Sequence, residues 1–117
     1  MTERVARWQA AWESRDADRV AALYVENATH ASARVAVVFP DLGTTVLRGV
    51  SQIREYARRG LARFTSLRFE ILTVTEGPIR SAVEYHRYSN LDAEPTRVLE
   101  LIEWRGDLIE AVRVFHA

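Results

Sequence analysis

Apolar and polar residues alternate with a period of two through most of the second half of the chain. The runs are Leu67 to Thr75, Ile79 to Asn90, Thr96 to Arg105 and Leu108 to His116. Each join has its own turn chemistry: Glu76-Gly77-Pro78, then Leu91-Asp92-Ala93-Glu94-Pro95, then Gly106-Asp107. Alternation of this kind between Gly/Pro/Asp turns predicts four strands in an antiparallel meander. The first half follows the helical period instead. Val5, Trp8 and Trp12 recur on one face with Ala11 beside them, predicting a first helix with an aromatic stripe. Asp16 is placed to cap a second helix over Ala17 to Tyr24 that buries Val20, Leu23 and Tyr24, with Asp18 in its first turn.

Between these halves the pattern is weaker. Asn27 to Ser32 reads as a short strand, and Arg34 to Phe39 as a further extended run that Pro40-Asp41-Leu42-Gly43 breaks. Thr44 to Arg48 reads as a brief extended piece. Ser51 is placed to cap a third helix to about Arg63, burying Ile53, Tyr56, Ala57, Leu61 and Phe64. Helices first and strands afterwards make the class α+β, with helices on one face of a curved sheet.

Composition narrows the chemistry. At 117 residues a single domain over 1–117 is expected, and 48% hydrophobic against 27% charged residues is the balance of an ordinary globular protein. No apolar run approaches the roughly 18 residues of a membrane span. Met1-Thr2-Glu3-Arg4 lacks the apolar core of a leader, so a cytoplasmic setting is the expectation. Sixteen basic and sixteen acidic residues cancel, without the dense positive cluster that nucleic acid requires. Every basic residue is arginine and cysteine is absent, which removes Schiff-base lysines, thiolate nucleophiles, disulfides and Cys-type zinc sites. His30, His86 and His116 have no metal-ligand spacing, so neither metal nor cofactor is expected.

Three segments carry a family likeness: Trp8-x3-Trp12-x3-Asp16-Ala-Asp-x4-Leu23-Tyr24-x2-Asn27-Ala-Thr29, then Arg48-Gly49-x3-Ile53-x2-Tyr56, then Glu103-Trp104-Arg105-Gly106-Asp107-Leu108-Ile109. With the order of elements, they make the chain resemble the nuclear-transport-factor-2-like superfamily, in its SnoaL-like or ketosteroid-isomerase-like branch. The likeness implies a cystatin-like cone: three N-terminal helices packed on a curved, mostly antiparallel sheet. These patterns serve for fold and say little of reaction, because the architecture hosts isomerases, cyclases, hydrolases, dehydratases and binding modules.

By similarity to ketosteroid isomerases, the residues facing the cone would be His30 and Ser32; Val83, Tyr85 and Arg87; Glu100, Ile102 and Trp104; Ala111, Arg113 and Phe115. Glu84, His86, Tyr88, Leu99, Leu101, Glu103, Val112 and Val114 would face outward, and a slip of one residue would exchange the sets. The resemblance puts Ser32 where those isomerases carry a carboxylate base, Trp8 where they carry a tyrosine and Glu100 where they carry a protonated acid. Serine cannot shuttle a proton as a carboxylate does, so isomerisation of that type is not expected.

His30 and Glu100 remain as acid/base candidates with Tyr85 as a hydrogen-bond donor. Trp8, Ser32, Tyr56, Arg87, Trp104, Arg113 and Phe115 are the candidate ligand contacts. Glu100 has two readings: paired with Arg87 or Arg113 it stays ionised, whereas buried without a cation it titrates near neutrality. If Arg87 and Arg113 both point inward, their guanidinium forks suit a small carboxylate. His30, Ser32 and Glu100 lack the elbow and oxyanion loop of a nucleophilic triad. Gly106 between Arg105 and Asp107 is a hairpin residue.

The function expected is therefore an apolar pocket for a small organic molecule, hydrophobic or bearing a carbonyl or carboxylate, with isomerase- or cyclase-type proton transfer as the enzymatic reading. A non-catalytic ligand-binding or dimerisation module is the alternative, and a cone filled by its own tryptophans is a third. Leu99, Leu101, Val112 and Val114 would form an outer apolar patch, which predicts a homodimer through the sheet.

Overall fold

The computed structural model describes residues 2–117. Helix α1, Glu3–Glu13, starts at Thr2, whose hydroxyl accepts from the Val5 N–H, and it buries Val5, Trp8 and Ala11. Asp16 caps α2, Ala17–Ala21, by accepting from the Asp18 and Arg19 N–H groups. This helix is shorter than its pattern suggested, because Tyr24 already belongs to strand β1, Tyr24–Ser32. Pairing decides the boundary: the Ile109 N–H donates to Leu23 O at 2.7 Å, and Tyr24 lies opposite Ile109.

Arg34 to Phe39, read from its valines as extended, instead contains a short helix, α3, Arg34–Val38. The Ser32 hydroxyl accepts from the Arg34 N–H and turns the chain, and the Phe39 N–H closes onto Val35 O at 2.8 Å. Strand β2, Val46–Arg48, pairs with β1 at the place this segment would need, so the β-propensity of its valines finds no partner.

Helix α4, Val50–Leu61, begins one residue before the expected Ser51 cap. Its cap is Gly49, held at φ 90°, a conformation that favours glycine. The Gln52 side chain accepts from the Arg48 N–H, and Ile53, Ala57 and Leu61 form the buried stripe. Among the described residues, the amino-terminal half thus holds four helical segments rather than three.

Strands β3, Leu67–Glu76, β4, Arg80–Ser89, β5, Thr96–Arg105, and β6, Leu108–His116, fall where the alternation put them. The six strands form one curved, unclosed sheet in the order β2-β1-β6-β5-β4-β3, with β1 parallel to β6 and every other pair antiparallel. The fold is therefore mixed α+β.

One residue resets the last strand. Trp104 faces Ile109 but Glu103 faces Ala111, so Glu110 is extra and forms a β-bulge. A bulge reverses the facing of all that follows. Val112, Val114 and His116 turn inward, while Arg113 and Phe115 turn outward and are exposed. The inward assignment of Ala111, Arg113 and Phe115 and the outward assignment of Val112 and Val114 are therefore corrected. The outer patch is correspondingly different: Leu99, Leu101 and Phe115, with Leu99 directly opposite Phe115. On β1, β4 and β5, His30, Ser32, Val83, Tyr85, Glu100, Ile102 and Trp104 are buried on the concave side as expected.

Candidate functional site

Four polar side chains are buried among the described residues, and three of them, His30, Ser32 and Glu100, line one cavity with Tyr85. Strand β1 supplies His30 and Ser32, the centre of β4 supplies Tyr85, and the facing stretch of β5 supplies Glu100. The volume is about 80 Å³. That is room for several waters or a small organic fragment, and well below the roughly 300 Å³ of a drug-sized pocket. Trp12, Tyr56, Phe64 and Phe69 make much of the wall apolar and aromatic, and half-buried Arg34, Arg87 and His116 complete it.

Among the described residues, Glu100 has no cationic partner. Arg87 reaches Asp92 instead, at 3.4 Å, and Arg113 lies on the opposite face of the sheet. The Tyr85 hydroxyl donates to Glu100 Oε1 at 2.8 Å. The Trp8 indole N–H lies close enough to favour the carboxylate but has no acceptor in bonding geometry. Burial outweighs these contacts and pushes the Glu100 carboxyl up to about 7. The same carboxylate joins burial in pushing the Tyr85 and Tyr24 phenols up, so both stay protonated.

His30 is 2% exposed, and its Nδ1 lies 3.3 Å from the Tyr24 hydroxyl. Burial lowers it to about 4, so the imidazole is neutral at physiological pH. Its ring centroid is 5.3 Å from that of Tyr56, whose phenol is raised by burial, an effect the adjoining Ser32 hydroxyl partly opposes. His116 is lowered by burial and then by the Arg87 and Arg34 guanidiniums, which places both arginines near it.

Of the candidate contacts, Ser32, Tyr56 and Arg87 line the cavity and four others do not. Trp8 is wholly buried behind it, with its ring centroid 5.4 Å from Phe69 and 5.5 Å from Tyr85. Trp104 belongs to a separate polar network under α1: its indole N–H donates to Ser81 Oγ at 2.8 Å, and Ser81 donates to Glu76. The bulge carries Arg113 and Phe115 away. In their place come residues the pattern did not single out, Arg34 on α3 and Val114 and His116 on β6. The sequence held one sign of the break: Ile109 and Val112, both apolar, stand three apart, with charged Arg113 where unbroken alternation points inward. Among the described residues, no three His, Asp or Glu side chains are grouped to hold a metal ion.

Solved structures share the architecture. A SnoaL-like protein of unknown function from Burkholderia thailandensis is 21% identical, with a TM-score of 0.78 over 96% of this chain and 89% of that one. A hypothetical protein with a ketosteroid isomerase-like fold from Catenulispora acidiphila, crystallised with trimethylamine, is 17% identical, with a TM-score of 0.78 over 100% and 87%. A candidate polyketide cyclase from Sinorhizobium meliloti is 14% identical, with a TM-score of 0.76 over 98% and 95%. At these identities the likeness is one of fold. None of the curated proteins matches the chain. The SnoaL-like domain family matches residues 5–112, nearly the whole length, and the chain belongs to that family, within the nuclear-transport-factor-2-like superfamily.

Proposed function

We propose that the protein binds a small carbonyl-bearing molecule in this cavity and moves a proton on it, with Glu100 as the acid/base. The observation that carries the reading is a buried carboxyl with no cationic partner among the described residues, raised to about 7, at the wall of a cavity. A group with that pKa is populated in both protonation states near neutrality. As carboxylate, Glu100 takes a proton from the carbon beside the carbonyl while the electron pair moves onto the carbonyl oxygen. As acid, it returns the proton to the same or a neighbouring atom. Tyr85 positions the carboxyl. His30, at about 4, is a weaker base than Glu100 and serves as a neutral hydrogen-bonding group. The likeness to a candidate polyketide cyclase and to proteins of ketosteroid isomerase-like fold is compatible with such chemistry.

The cavity favours small substrates over polycyclic ones. Its test is solvent deuterium incorporation into a panel of small ketones, followed by NMR with the unmodified protein, E100Q and H30A. Incorporation that falls by about two orders of magnitude in E100Q is the expected result. Incorporation unchanged in E100Q would remove the mechanism, whatever H30A does. The second reading, a non-catalytic binding module, is favoured by Ser32, which stands where related isomerases carry their base and here accepts the Arg34 N–H. Saturable binding without exchange would establish it. For assembly, the outer-face residues Leu99, Leu101 and Phe115 support a homodimer through the sheet.

A further inference from the structure

The geometry points to a carboxylate anchor formed by Arg34 and Arg87 at the cavity wall, and hence to a small oxo-carboxylic acid as the ligand, an inference that rests on the proton-transfer reading of Glu100. The two arginines come from distant elements, the short helix α3 and the last turn of ladder on β4, yet both line the cavity that holds Glu100. Neither meets a carboxylate of the cavity wall, and the one ion pair that either makes among the described residues is that of Arg87 with Asp92, outside the lining. Arg34 makes no ion pair and no side-chain hydrogen bond to the other described residues. The Arg87 side chain is only 16% exposed, its Nε is buried without any acceptor, and a single Nη2 contact reaches Asp92 at 3.4 Å. A guanidinium carries five donors, and leaving a buried one unmet is unfavourable.

An oxyanion entering the cavity would accept from that Nε and from the unoccupied Arg34 fork together. Among the described residues, no Asp side chain is in the lining and Glu100 is the one Glu there, so the wall offers an anion two guanidiniums, of which that of Arg87 is shared with Asp92. Arg87 also rests 5.9 Å from the Phe64 ring centroid, a contact that orients the fork. Planar guanidiniums match a carboxylate better than a point charge would. With the carboxylate held at the arginines, the ligand's carbonyl end extends towards Glu100 and Tyr85. A volume of about 80 Å³ limits that ligand to a short chain or a single small ring.

The experiment titrates the labelled protein with 4-oxopentanoate and with its methyl ester by NMR at low salt, and follows deuterium exchange into both. The unmodified protein should bind the acid at least about tenfold more tightly than the ester. Arg34→Gln should reduce that preference to near unity, whereas R34K, which retains the charge, should keep part of it. Arg113→Ala is the control, because its side chain is exposed on the far face of the sheet, and it should keep the full preference. Equal affinity for acid and ester, a preference that survives both R34Q and R87Q, or no binding of the acid at millimolar concentration would each overturn the anchor. Acid preference without exchange would leave the anchor standing and remove the proton-transfer reading. Exchange without acid preference would do the reverse.

Discussion

Replacing Glu100 by Gln removes one of two buried groups whose titrations oppose each other, and the stability profile should show it. The folded carboxyl titrates at about 7 against 4.5 for an ordinary glutamate. Between these values the folded protein keeps a proton that the unfolded chain has released, so stability falls as pH rises through this window and the loss is complete above about pH 7. At about 1.4 kcal/mol per pH unit, the span from 4.5 to about 7 amounts to about 3 kcal/mol. His30 has the opposite sign. Lowered from 6.5 to about 4, it is neutral in the fold while the unfolded chain holds a proton, so its contribution rises with pH over that span by about 3 kcal/mol. The two slopes cancel where the windows overlap, from about 4.5 to 6.5, and the unmodified protein should have a nearly flat profile there. E100Q leaves the rising His30 limb alone. Relative to the unmodified protein it should gain about 3 kcal/mol between pH 4.5 and 8, or on the order of 10 °C in Tm for a chain of this size. Urea and thermal melts at half-unit pH steps measure the difference directly. Profiles that stay parallel from pH 4.5 to 8 would refute the assignment of a raised carboxyl to Glu100.

Three further outcomes are expected. Gly49→Ala meets no clash, since the nearest atom to an added Cβ is Glu26 O at 3.8 Å, so its cost is the backbone strain of φ 90° alone. Urea denaturation should therefore show a loss of about 1–2 kcal/mol, and no loss would mean that the start of α4 relaxes freely. W104F breaks the bond to Ser81 Oγ and W8F breaks none, so W104F should cost about 1 kcal/mol more in the same assay. Light scattering after size exclusion at micromolar concentration should give the mass of two chains, and L99D should halve it; a strict monomer would sink the dimer.

The meander was legible because its signals are local. Alternation in β3 to β6 and the Gly77-Pro78, Pro95 and Gly106-Asp107 turns specify strand, end and reversal within a few residues. Val35 to Val38 misled for the converse reason: β-propensity expresses itself only beside a partner strand, and β2 already pairs with β1 there. The bulge at Glu110 misled further, since one inserted residue exchanged Arg113 and Phe115 for Val114 and His116 at the cavity.

By itself, the sequence determined the α+β class and the four strands of the meander, which depend on period and turn chemistry along the chain, while its motifs carried the resemblance to the family and, through it, the placing of His30, Ser32, Tyr85 and Glu100 on one face. Only the tertiary structure decided which cations reach the cavity, that Arg87 turns to Asp92 and not to Glu100, and that His30 and Glu100 depart from their ordinary pKa in opposite directions. Those properties depend on burial and on charges brought together from distant segments, and a linear pattern carries neither.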